Sequence, residues 1–123
     1  MTIIEAINYT DLIHPNGYGQ EEKIRWLSVL DGMIQKELVD THEGAETAHF
    51  SGYDVHTNTD TELLVPFPYN TMYIFWLESR INYASGEYGK YNNSILLFNT
   101  AYEAYEKYYR RNHKPHSKDF AHF

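Results

Sequence analysis

The chain contains no cysteine. Disulfides and thiolate metal sites are thereby excluded, and the sequence is unlike a small secreted disulfide scaffold. Long apolar runs are also missing. Those present are as short as Leu63-Leu64-Val65 and Ile95-Leu96-Leu97-Phe98, whereas a membrane-spanning helix needs about twenty residues. Met1-Thr2-Ile3-Ile4-Glu5 lacks the basic start and apolar core of a targeting peptide. A cytoplasmic chain without membrane contact is therefore expected. No Gly-rich phosphate cradle, G-x-S-x-G or H-E-x-x-H occurs. No catalytic residue and no cofactor can be named.

Basic residues are scarce in the first half. From Met1 to Glu62 there are 12 acids and 3 bases, a balance of −9, within an overall charge of −7. From Leu63 to Phe123 there are 5 acids and 7 bases, a balance of +2. Toward the end, Lys107, Arg110, Arg111, Lys114 and Lys118 meet no acid until Asp119. Such asymmetry suits head-to-tail contact between copies or docking on an acidic partner. A solvated helix end explains the cations equally well, because the macrodipole favours them there. The acidic total argues against broad or sequence-specific nucleic-acid binding, which needs basic surface against phosphate.

At 123 residues the chain makes one domain, large enough to bury roughly two-thirds of its unfolded surface without a staple. Thr2 and Glu5 have the spacing of a capping box for a helix from Ile3 to about Leu12, ended by His14-Pro15-Asn16-Gly17. Ile24, Leu27, Leu30, Ile34 and Leu38 form one apolar stripe of a second helix starting near Gln20. Gly32 within it marks a possible close approach of another helix. His42 to Glu62 is polar and without helical period; Thr47–Tyr53 and Glu62–Val65 are candidate strands of a hairpin or extended arm, expected to be mobile. Pro68 suits the first turn of a third helix, with Ile74, Leu77, Ile81, Ala84 and Tyr88 on one face and Tyr69, Tyr73, Trp76, Arg80 and Tyr83 on an adjacent, aromatic one. Ser85-Gly86 and Gly89 mark its end. Tyr91, Ile95, Phe98, Tyr102, Tyr105 and Tyr109 step by four and three along a fourth helix, extended by Leu97, Ala101, Ala104 and Tyr108.

The expected fold is all-α. It is a compact bundle of about four helices over 1–111, with a long polar loop at 42–66 and a basic, flexible tail at 112–123. Trp26, Leu30, Ile34, Leu77, Ile81, Ile95, Phe98 and Tyr102 are expected to share one core.

His42, His49 and His56 recur every seven residues, but in the stretch with the least helical pattern, so the spacing does not converge them as zinc ligands. Asp54 to Glu62 offers alternating oxygens, yet the calcium-loop positions for glycine and glutamate hold Thr59 and Val65. No metal site is expected. The tyrosines carry more information. Nine of twelve lie between Tyr69 and Tyr109, more rings than two helices are expected to bury, and edge tyrosines suit protein interfaces. The candidate interface is Tyr105, Tyr109, Arg110, Arg111, Lys114, Lys118, Phe120 and Phe123.

Three stretches carry a resemblance: Lys23-Ile24-Arg25-Trp26-Leu27-Ser28-Val29-Leu30-Asp31-Gly32, Thr61-Glu62-Leu63-Leu64-Val65-Pro66-Phe67-Pro68-Tyr69, and Tyr91-Asn92-Asn93-Ser94-Ile95-Leu96-Leu97-Phe98-Asn99. Through them the chain resembles small proteins of the head–tail gene clusters of tailed phages and prophages, above all the head–tail connector (adaptor) family. The resemblance implies a helical bundle that forms a ring beneath the portal protein, extends the DNA exit channel and receives the tail-completion protein. It implies a virion location, with assembly in the bacterial host cytoplasm. The alternatives are a neighbouring structural protein of the cluster, a non-enzymatic helical protein-binding module that stays monomeric or dimeric, and a small enzyme or metal binder using the loop histidines.

Overall fold

A computed structural model describes residues 1–42 and 50–115. It is an all-α bundle of four helices: α1 (Ile3–Ile13), α2 (Gln20–Ile34), α3 (Met72–Ala84) and α4 (Tyr88–Asn112). A π-helical turn, Gln35–Val39, extends α2, and a 3-10 turn, Tyr69–Thr71, leads into α3. Among the described residues there is no strand, only isolated bridges pairing Thr2 with Glu62 and His42 with Pro115.

Local chemistry sets the first two helices. The Thr2 hydroxyl accepts the Glu5 N–H at 3.2 Å, and the Glu5 carboxylate accepts the Thr2 N–H at 2.9 Å, which satisfies two otherwise orphaned donors. α1 turns Ile3, Ala6, Ile7 and Thr10 inward. The link to α2 is fastened by Lys23, whose buried ammonium donates to Asp11 Oδ1 at 2.7 Å and to the Tyr18 carbonyl at 2.8 Å. α2 buries Ile24, Leu27, Leu30 and Ile34, and the π turn adds Leu38.

α3 is the axis of the bundle. Eight of its 13 residues are buried, around most of its circumference, because α1, α2 and α4 all pack on it. Pro68 does not open this helix; it precedes the 3-10 turn, and α3 begins only at Met72. The helix ends at Ser85 and Gly86, where φ is +73° and favours glycine. Gly89 is no break but lies inside α4. α4 returns antiparallel to α3: Asn82 bonds Ser94 near the turn, Trp76 packs on Phe98 with centroids 5.1 Å apart, and Tyr69 meets Tyr105 and Tyr108 at the far end.

Leu30, Ile34, Leu77 and Phe98 lie in one buried cluster, flanked by half-buried Trp26, Ile95 and Tyr102. Ile81 is buried outside that cluster. Leu97 and Ala104, expected to extend the α4 seam, face solvent.

The loop differs from expectation. Over 50–65 it forms no hairpin but lies as irregular chain fastened to α1 and α2. The Ile3, Ile4 and Leu63 N–H groups donate to the carbonyls of Thr61, Thr59 and Met1, each at 3.0 Å. Leu63 and Val65 are buried. Gly52 has φ +100°, and a Cβ there would sit 2.9 Å from Ser28 Oγ, so the chain passes close against α2 only with glycine. What approaches Gly32 is likewise the loop, through Phe50, and not another helix. A segment with this many backbone anchors is not a free arm. Residues 47–49 of the expected Thr47–Tyr53 strand lie outside the described residues.

Candidate functional site

The strongest polar cluster surrounds Asp31. Its position on α2, four residues after Leu27 and three before Ile34, aims an acid along the apolar stripe, and the residue is fully buried. Oδ1 accepts the Tyr73 hydroxyl at 2.6 Å. Oδ2 accepts the Tyr53 hydroxyl at 2.6 Å and the Leu64 N–H at 3.1 Å. The Tyr73 oxygen in turn accepts the Val65 N–H at 2.8 Å. Burial pushes the Asp31 carboxyl above its usual range, against the opposing pull of the two hydroxyls and the amide. Burial and the adjoining carboxylate raise both tyrosine hydroxyls. The cluster is closed, and every donor in it is used within the protein. Its effect is to clamp residues 53 and 64–65 between α2 and α3, which is structural work.

The aromatic seam of α4 is also internal. Tyr105 is 4% exposed and Tyr109 7%, so both belong to the core and not to an interface. Of the nine tyrosines between Tyr69 and Tyr109, Tyr73, Tyr105 and Tyr109 are buried, whereas Tyr83 and Tyr88 are exposed, so part of the expected surplus does reach solvent. Tyr105 and Tyr109 are covered because the seam meets more than α3. Tyr105 and Tyr108 pack on Tyr69, and Tyr109 lies between His42, edge-on at 5.3 Å, and His113, stacked at 3.9 Å. Burial raises the Tyr105 hydroxyl to about 12. The start of the tail is held as well, since Pro115 bridges His42. Arg110, Arg111 and Lys114 are exposed, with Arg110 reaching Glu106 at 3.0 Å. Lys118, Phe120 and Phe123 lie outside the described residues. Of the loop histidines, His42 is buried, with Nδ1 within 2.7 Å of the Leu38 carbonyl oxygen, His56 is exposed, and His49 lies outside the described residues. No group of three metal-ligating side chains occurs among the described residues.

A surface that the sequence reading missed lies on the outside of α1. Glu5, Asn8, Tyr9 and Leu12 share one stripe at helical spacing, opposite the buried one. Leu12 is 77% exposed and Tyr9 53%. With Phe67, 83% exposed, and Asn70 they line a concavity of about 650 Å³. The signal was available: Tyr9 and Leu12 fall off the stripe of Ile3, Ala6, Ile7 and Thr10. α4 exposes Leu96 and Leu97 in the same way. α1 and α4 do not pack on each other. A second concavity, about 430 Å³, lies between them, with Ile13 and His14 on one wall, Leu97 on the other and Glu78 between.

None of the described helices is long and apolar enough to cross a membrane. No family model, curated protein or solved structure matches the chain.

Proposed function

We propose that the protein is a non-enzymatic assembly subunit of a phage or prophage particle, of the head–tail connector type, docking as a ring between portal protein and tail-completion protein. The observation that carries this reading is the set of large apolar side chains left without partners on α1 and beside it: Tyr9, Leu12 and Phe67 around one concavity. Isolated exposed apolar residues are ordinary, whereas a clustered set on a concave face is the signature of a protein contact. Asp31 is sealed within its hydrogen bonds, and among the described residues no three metal-ligating side chains come together.

The test is co-sedimentation with the portal ring of the same genome, comparing the wild-type protein with Leu12→Ser and Phe67→Ser. Both residues are exposed, so the variants should fold. The reading expects the wild-type protein to travel with the portal and each variant to bind at least about tenfold more weakly, as for loss of a buried apolar anchor. Wild-type protein left in the supernatant at all concentrations would refute it.

A further inference from the structure

Arg80 stands on α3 inside a frame of rings. Its guanidinium carbon lies 4.5 Å from the ring centroid of Trp76, 5.5 Å from that of Tyr91 and 5.8 Å from that of Tyr83. The frame is itself held in place. The Trp76 indole N–H donates to the Trp26 carbonyl at 2.7 Å, and Tyr83 meets Tyr91 edge-on at 5.3 Å and Tyr88 at 5.8 Å. Of the five guanidinium N–H donors, one reaches Ser79 Oγ and one the Tyr91 hydroxyl, each at a long 3.4 Å. The other three have no acceptor among the described residues. Arg80 also makes no ion pair among them, unlike Arg25 with Glu22 and Arg110 with Glu106. Glu78, two residues earlier on α3, is turned to His14 at 3.6 Å, and Lys90 is engaged by Glu87 at 2.9 Å. A fully exposed cation is satisfied by water. Arg80 is half-buried, so the rings replace part of its hydration and hold its planar fork in one orientation.

An oxyanion is what this fork lacks. A carboxylate matches it with two parallel N–H···O bonds. The Tyr91 hydroxyl oxygen accepts from Arg80 and keeps its own proton to donate beside them. Charge selects among oxyanions. A phosphoryl group carries about −1.5 to −2 near neutral pH, and a polynucleotide repeats its charge at every phosphate. Either calls for several cations, whereas Arg80 stands singly and Lys90 is already paired. One carboxylate balances it. Tyr83 and Tyr88, 56% and 60% exposed, extend the site as amphipathic ring surface of the kind that protein contacts use. We propose that Arg80, framed by Trp76, Tyr83 and Tyr91, docks an aspartate or glutamate side chain of a partner protein, with the apolar neighbours of that carboxylate lying on Tyr83 and Tyr88. The site shares no residue with the concavity of Tyr9, Leu12 and Phe67, so it does not depend on the assembly reading above.

Titration of the isotopically labelled full chain, followed by nuclear magnetic resonance, tests it. The probe is a short acetylated and amidated peptide of alternating glutamate and leucine. The Arg80 Nε–H resonance should shift and saturate with a Kd below about 1 mM. The same peptide with glutamine in place of glutamate should leave that resonance where it is. Arg80→Lys keeps the charge but loses the fork; with an unchanged circular dichroism spectrum, it should bind the acidic peptide at least about tenfold more weakly. Leu12→Ser and Phe67→Ser should bind it as the wild-type protein does, which separates this site from the α1 concavity. The inference is overturned by an Arg80 resonance that does not respond to the acidic peptide, by an equal response to the glutamine peptide, or by undiminished binding in Arg80→Lys. Inorganic phosphate binding at Arg80 more tightly than the peptide would overturn it as well, since the site would then select phosphate over carboxylate.

Discussion

α3 and α4 are both rich in aromatic residues, but they serve the fold differently. α3 buries eight of 13 residues, α4 only four of 25. The short helix touches α1, α2 and α4, while the long one packs chiefly on α3 and leaves Leu96 and Leu97 in solvent. A helix packed on several sides spreads its buried residues over more than one face, whereas a helix packed along one seam shows it as a repeat of four and three. The outer face of α4, like that of α1, is left exposed.

Substitutions sharpen that contrast. Phe98→Ala removes the ring that α4 lays against Trp76 and should cost about 3–5 kcal/mol; Leu77→Ala on α3 should cost about 2–5 kcal/mol. Urea unfolding measures both, and a cost below about 1 kcal/mol for Phe98 would mean that the seam does not hold α4 to α3.

The clamp on α3 titrates. The Asp31 carboxyl is raised in the folded state by burial. Its contribution is therefore fully present below the unfolded value near about 4 and is lost as pH rises through the folded value. Measured against Asp31→Asn, the wild-type protein should gain relative stability as pH falls from 7 toward 4. A difference that is flat or of opposite slope would show that the hydroxyls and the Leu64 amide, not desolvation, dominate.

The smallest effects belong to the free faces. Leu96→Ala and Leu97→Ala should change stability by no more than about 0.5 kcal/mol. A chelator should leave the melting temperature unchanged, and a large drop would revive a metal role for the histidines.

The four helices were legible in sequence where period and caps agree, as with Thr2 and Glu5 on α1, the stripe from Ile24 to Leu38, and the seam from Tyr91 to Tyr109. The Asp31 clamp was not, because its partners Tyr53, Leu64 and Tyr73 are 22 to 42 residues away and no local pattern pairs them. For the same reason the 50–65 segment read as a loose arm: its anchors are single bonds to α1 and α2, without any repeat of their own. Tyr105 and Tyr109 were placed on the right seam but assigned to an outer contact, since the rings that cover them, Tyr69, His42 and His113, come from outside regular helix. The cations that follow them, Arg110, Arg111 and Lys114, are exposed as expected.

Electron microscopy of the protein mixed with the portal ring of the same genome tests the assembly reading most directly. The account predicts an added ring of density beneath the portal, coaxial with its channel, and its loss with Phe67→Ser. Bare portal rings beside unbound protein at saturating concentration would contradict it.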